Sequence, residues 1–302
     1  MTDLPLRALI GLSSLATLIL FQSSAALAQN NQGASEPAWI EPAKFAVSAF
    51  GVIVAAFVFG GGLWQYYRAQ QWKRAEFLAN EIKELLSDPK AVNGLTMIDW
   101  DERCIKLDPN ADPKVVTYRM QSFALLPHTL VEAGGRILIE GSKASSADQM
   151  SNDFTSDEKL IRDCYDALLD RLDRLGSYLE TGLLSVSDMR PYLGYYIDDI
   201  ASETTDSVEA LWNIVLLTYV HFYNFRGIPI LFTEFRHDIS PNGHVFRRLI
   251  ERTDKRHQKL AQGLAEMARP NGPIPKELKR WISAIDGSLT TSRDGDSILE
   301  GR

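Results

Sequence analysis

The stretch that most constrains this chain is FAVSAFGVIVAAFVFGGGLW, Phe45 to Trp64, twenty residues without a charge between Lys44 and Arg68. As a helix rising 1.5 Å per residue it spans about 30 Å, the hydrocarbon thickness of a bilayer. Trp64, Tyr66 and Tyr67 follow, suited to the interface, and then Arg68, Lys73 and Arg74. Ahead of the span, Lys44 stands beside Glu36 and Glu41. That asymmetry predicts a single-span membrane protein whose C-terminal bulk is cytoplasmic. With no Pro or Gly from Leu63 to Ser87, the helix is expected to continue into water.

Residues 1–28 read as a secretory signal: Arg7, an apolar run from Ala8 to Phe21, and a small-x-small cleavage site at Ala26-Leu27-Ala28. Cleaved or retained, this segment leaves the bulk on the same side. Residues 29–44 form a short outer linker. Within the span, Gly51/Ala55 and Ala56/Gly60 are small-xxx-small pairs, a face on which a second copy of the helix can pack closely.

After the span comes a mainly α chain. Residues 65–140 hold the juxtamembrane helix and a small helical region, 141–154 a Ser/Ala-rich linker, 155–284 a helical cytoplasmic domain and 285–302 a disordered tail. Along the juxtamembrane helix Trp72, Ala75, Leu78, Ala79, Ile82 and Leu86 recur at helical spacing. Asp88-Pro89 restarts a helix that ends near Trp100. Glu102 to Leu107 is a brief strand, and Val116 to Ala133 a helix that Pro127 bends or splits. Gly134-Gly135 ends it as a C-cap; no phosphate-loop Lys follows.

Thr155 to Leu184 is the clearest soluble helix. Ser156 is its expected cap, and Leu160, Cys164, Leu168, Leu172, Leu175 and Leu179 form its stripe. Ser185 to Asp188 opens the next helix, to Ala201; the turn between the two lacks the spaced carboxylates of a calcium loop. Asp206 to Phe225 is apolar nearly all round but too short and polar-tipped to be a second span. It reads as a buried centre built on Trp212, Leu216, Tyr219 and Phe222. Ile228-Pro229 reads as a turn, Gly243 to Met267 as one basic amphipathic helix, and Pro275 to Ala284 as a last short helix.

Charge is unevenly spread. Ser145 to Ala210 holds 15 Asp and Glu against 5 Lys and Arg, whereas Arg236 to Trp281 holds 11 Lys and Arg against 5 Asp and Glu. The basic face of Arg247, Arg248, Arg252, Lys255, Arg256 and Lys259 is expected to dock on the acidic helix of Asp163, Asp166, Asp170 and Asp173, in competition with anionic lipid. Glu251 and Asp254 interrupt the basic run, so nucleic acid is not an expected partner.

Chemistry-bearing motifs are scarce. Cys104 and Cys164 lack metal or redox spacing and are expected to be buried free thiols. His237-Asp238 lacks the further ligands of a metal phosphohydrolase, and His221 reads as a hydrogen-bonded core histidine. No nucleophile elbow, zinc-protease, dinucleotide or kinase pattern occurs. No cofactor, metal or catalytic residue is therefore assigned. The function expected is a non-catalytic interaction or scaffold module at the inner face of the membrane, with the bilayer, a cytoplasmic protein and a second copy as partners. The alternative is an enzyme with an unrecognised polar site in the helical domain.

Two stretches carry a resemblance. QWKRAEFLANEIKELLSDP (Gln71 to Pro89) with IDWDER (Ile98 to Arg103), and LDRLGSYLETGLLSVSDMRPYLGYYI (Leu172 to Ile197) with VHFYNFRGIPILFTEF (Val220 to Phe235), resemble uncharacterised bacterial membrane proteins with one span and a helical cytoplasmic domain of unknown function. The resemblance implies the fold and topology, and no activity or site residue.

Overall fold

A computed structural model describes residues 40–133, 139, 153–201, 206–255, 257–269, 273–280 and 282–283. The signal segment, most of the outer linker, Gly134-Gly135, the Ser/Ala-rich connection up to residue 152, Arg256 and the C-terminal tail lie outside the described residues. The chain divides into two units between Ala69 and Gln70.

Helix α1, Ile40–Ser87, runs without a break, as the absence of Pro and Gly after Leu63 predicts. In the first unit its apolar stretch buries nothing within the chain: Phe45, Phe50, Phe57 and Phe59 are exposed. It is the one described helix long and apolar enough to cross a membrane, with a mean hydropathy of 2.1 over its best window. Such a surface is stable in lipid and costly in water.

The second unit is helical with one small hairpin. In chain order it comprises α2 (Pro89–Asp99), β1 (Arg103–Ile105), β2 (Lys114–Val116), α3 (Tyr118–Leu125), α4 (His128–Glu132), α5 (Ser156–Glu180), α6 (Val186–Ala201), α7 (Ser207–Phe222), α8 (Gly227–Glu234), α9 (His244–Arg252) and α10 (Gln258–Met267). Local chemistry sets most of the boundaries. The Asp88 carboxylate accepts from the Lys90 amide at the start of α2, and Pro127 separates α3 from α4. Thr155, one residue before the expected Ser156, caps α5: its hydroxyl accepts from the Glu158 amide while Glu158 accepts from the Thr155 amide. Gly182, at φ 70, ends that helix region in a conformation that favours glycine.

Helices α5 and α7 are the two spines. Against α5 pack α2, α3 and α8; against α7 pack α3, α9 and α10. Every residue of α7 from Ala210 to Val220 is buried, with Trp212, Leu216 and Tyr219 each 1% exposed. Phe222 is only partly buried. Backbones touch where α5 meets α8: a Cβ on Gly176 would overlap the Gly227 carbonyl, and one on Gly227 the Asp173 carbonyl. Glycine at both positions is what lets the helices cross so closely.

Four sequence readings are corrected. Val116, expected to start a helix, instead ends the strand Lys114–Val116, antiparallel to Arg103–Ile105 with Cys104 opposite Val115. Ile228-Pro229 lies inside α8, where a proline in the first turn has no intrahelical bond to lose. The basic helix is two: the Asp254 carboxylate accepts from the His257 amide, and this local bond competes with helix continuation between α9 and α10. Cys104 is exposed rather than buried, on the outer side of the hairpin; Cys164 is buried, as expected.

Candidate functional site

Ionisable and aromatic groups converge between α5, α7 and the α3–α4 corner. Arg162 and Asp166 stand one turn apart on α5, Tyr219 and Tyr223 one turn apart at the end of α7. The Arg162 guanidinium lies 4.8 Å from the ring centroids of Phe154, Tyr219 and Tyr223, and it donates at 3.5 Å to the carbonyls of Ala124 and Leu126. Tyr219 donates to Asp166 at 2.5 Å, and the Tyr223 hydroxyl meets Nδ1 of His128 at 2.9 Å. Burial raises the pKa of Asp166, while the Tyr219 hydrogen bond and Arg162 pull it down. Burial, and then the bond to Asp166, push the Tyr219 phenol well up.

His, Asp, Arg and two Tyr thus meet in one place, the constellation an enzyme would use. Here each group is engaged with another group of the chain. An activated nucleophile needs a lowered pKa, and Tyr219 has the opposite. The arrangement ties three elements together through a cation held among rings.

A cleft of about 410 Å³ opens beside this centre, lined by Thr129, His221, Phe222, Met267, Arg269, Pro273 and Ile274. His221 Nε2 donates to the Ile239 carbonyl at 2.7 Å, which fixes the neutral tautomer with Nδ1 as acceptor. Burial lowers its pKa, against the bond to Ile239, which raises it. The expected hydrogen-bonded core histidine is found, at the edge of a cleft that also holds the Arg269 guanidinium.

His237-Asp238 is structural. His237 Nε2 bonds Asp198 of α6 at 2.8 Å, and the Ser240 side chain, then the Ser240 amide at 3.0 Å, hydrogen-bond Asp238 and hold its carboxyl below the usual range. Among the described residues, no group of three or more His, Cys, Asp and Glu side chains is placed to hold a metal ion.

Among the described residues, three of the four acids expected to seat the basic helix have other partners. Asp163 pairs with Lys90 of α2 at 2.8 Å, Asp166 with Tyr219, and the Asp173 carboxylate accepts from the Gly227 amide of α8 at 2.6 Å. Those partners take the carboxylates because α2, α7 and α8 pack directly on α5. The positive end of α8 is a natural seat for Asp173. Of the basic face, Arg247, Arg252, Lys255 and Lys259 are exposed, whereas Arg248 is half-buried and donates to the Ala201 carbonyl. Lys259 also lines a groove of about 730 Å³ with Lys276, Arg280, Glu266 and Glu277. On α1, Ala55, Ala56 and Gly60 are exposed, and a Cβ at Gly51 or Gly60 would meet nothing within 4 Å. Among the described residues, no contact requires glycine there.

Large side chains are exposed on the second unit as well. Trp100, which follows α2, is 51% exposed, and Tyr192 and Tyr195 on α6 are 49% and 60% exposed. Compared with protein-family models, curated proteins and solved structures, the chain matches none.

Proposed function

We propose that this protein is a membrane-anchored interaction module of the bacterial inner membrane, its helical unit held in the cytoplasm to engage another protein. The observation that carries the reading is a helix with an unburied apolar stretch of membrane length, in a chain whose second unit displays Trp100, Tyr192 and Tyr195 to water. Exposed Trp and Tyr are the side chains that most often anchor protein interfaces. Orientation follows from Arg68, Lys73 and Arg74 after the span. The exposed Arg247, Arg252, Lys255 and Lys259 suit the anionic inner leaflet, each contributing about 1 kcal/mol when near it. The small-residue face of α1 suits a second copy.

The test is crosslinking in intact cells, followed by denaturing capture of the tagged full-length chain. One partner recovered in comparable amounts, and absent when α1 is replaced by an unrelated soluble tag, is the expected result. Recovery of the chain alone overturns the reading.

A second reading rests on the cleft. A neutral histidine with a free acceptor beside an arginine suits a small ligand bearing a carboxylate, and His221 would then act as a base. Loss of ligand-dependent thermal stabilisation in His221→Gln would favour it over the module.

A further inference from the structure

The exposed aromatic residues of the second unit are grouped with acids. Tyr192, Tyr195 and Asp199 follow one another at i, i+3 and i+7 on the outer stripe of α6, while Met189, Leu193, Ile197 and Ile200 fill the inner stripe. The end of α2 adds Asp99, Trp100 and Asp101. The two elements are joined where Tyr195 donates to Asp99 at 2.5 Å, a bond that pushes the phenol up to about 12. One oxygen of Asp101 accepts from the Tyr118 amide at 3.1 Å. For Asp99 and Asp101 the second oxygen has no partner among the described residues. Half-buried Asp199 sits within reach of Glu209 and Asp99, and burial followed by these two charges raises its carboxyl to about 6. Nearby, the Arg103 guanidinium already lies 4.8 Å from the Trp100 ring, so an arginine stacks in this setting.

Three classes of ligand fit poorly. Anionic headgroups and nucleic-acid phosphates are repelled by four carboxylates. Among the described residues, a metal ion lacks three ligands close enough together. What remains complementary is a cation that offers both a flat face and several donors. Guanidinium stacks on Tyr and Trp and forks to carboxylate oxygens; ammonium does so less well. The stripe from Tyr192 to Asp199 covers seven residues of helix, about 10 Å.

Resting on the reading of the chain as an interaction module, we propose that the Tyr192–Tyr195–Asp199 stripe with Asp99 and Trp100 is a docking face for an arginine-bearing segment of its protein partner. Within the stripe's length of about 10 Å, guanidinium groups stack on the tyrosine rings and donate to Asp99 and Asp199. Binding relieves the repulsion among the acids.

The test uses the full-length chain in nanodiscs of neutral lipid and a fluorescein-labelled (Arg-Gly-Ser)4 peptide, read by anisotropy at about 0.15 M salt, where surface charge alone is screened beyond roughly 8 Å. Saturable binding is expected, with (Lys-Gly-Ser)4 at least about fivefold weaker. Tyr192→Ala with Tyr195→Ala should weaken the arginine peptide about tenfold or more, as loss of two interface aromatics does. Tyr195→Phe, which keeps the ring, should weaken it less. The acids of α5 away from the face supply the control: Asp170→Asn with Glu180→Gln should change affinity less than twofold. Matching melting curves for all variants establish that they fold.

Equal losses from the α5 control, equal affinity for the lysine peptide, or no binding would each overturn the face. A photocrosslinker placed at Tyr192 in cells separates this failure from that of the module. A partner captured from another surface and not from position 192 sinks the face and leaves the module; no partner from any surface sinks both.

Discussion

Gly176→Ala is expected to be among the most damaging single changes in the second unit. The Gly176 Cβ would overlap the carbonyl of Gly227, and the atoms in the way are backbone, so no rotamer change relieves the clash. Helix α8 must move away from α5. That movement strains the Asp173 cap on the Gly227 amide, now 2.6 Å long. Overpacking that only the backbone can absorb costs about 3 kcal/mol, the upper part of the usual range. Weakening the cap adds about 1 kcal/mol, and alanine's better helix propensity returns about 1. The net loss is about 3 kcal/mol, or roughly 6–12 °C in Tm for a unit of this size. The control is Gly263→Ala on α10, where the nearest atoms belong to the Leu278 side chain at 3.2–3.6 Å and can yield. It should lie within about 1 kcal/mol of the wild type. The assay is thermal unfolding of the full chain in detergent, followed by circular dichroism. If both variants matched or exceeded the wild type, propensity alone would be acting, and α5 and α8 would not cross at these glycines.

Other outcomes follow from the same contacts. Leu216→Ala, at 1% exposure in the middle of α7, should cost about 2–5 kcal/mol in chemical denaturation; well under 1 would move α7 out of the core. Arg162→Met removes a cation shared by three rings and leaves Asp166 beside Tyr219 without it, so a loss of roughly 2–3 kcal/mol at pH 7 is expected. Because burial raises the Asp166 carboxyl, that deficit should shrink as pH falls and protonation neutralises it; an unchanged deficit would mean that Arg162 does not act on the carboxylate. Asp199, raised to about 6, holds its proton in the folded chain between about pH 4 and 6. Its contribution is therefore present at low pH and lost as pH rises through 6. Asp199→Asn should stabilise the chain at pH 7.5 relative to pH 4.5, by on the order of 1 kcal/mol after allowance for solvent screening. Equal effects at both pH values would contradict the crowding by Glu209 and Asp99.

Where short-range chemistry decides, the sequence was a sufficient guide. Asp88-Pro89 restarts a helix, Pro127 splits one, and the apolar run of α7 is the buried spine it was expected to be. The corrections arise where two local options compete or a distant partner intervenes. Asp254 chose the His257 amide over helix continuation, and Pro229 fitted the first turn of α8 as well as it would have fitted a turn. The acidic stripe of α5 looked like a solvated face awaiting a basic helix, yet three of its four carboxylates serve α2, α7 and α8. Nothing local to Asp173 announces that it caps a helix 54 residues on. The Arg162 centre left a faint trace, since Arg162/Asp166 and Tyr219/Tyr223 share an i,i+4 spacing. Only the packing of α5 on its neighbours shows that the two pairs meet. Tyr192, Tyr195 and Tyr196 stand close together in the sequence, but nothing local shows the outward stripe or the link from Tyr195 to Asp99.

The chain carries its own reporter for the central claim, that a membrane-spanning helix holds the second unit inside the cell. Cys104 is exposed and Cys164 is buried, with burial raising the latter thiol to about 11, so a maleimide should modify the native chain at Cys104 alone. With a membrane-impermeant maleimide on spheroplasts, the account predicts no labelling until the membrane is opened, and then one label per chain, in a membrane fraction that resists alkaline carbonate. Labelling of Cys104 in closed spheroplasts, or release of the chain by carbonate, would contradict it.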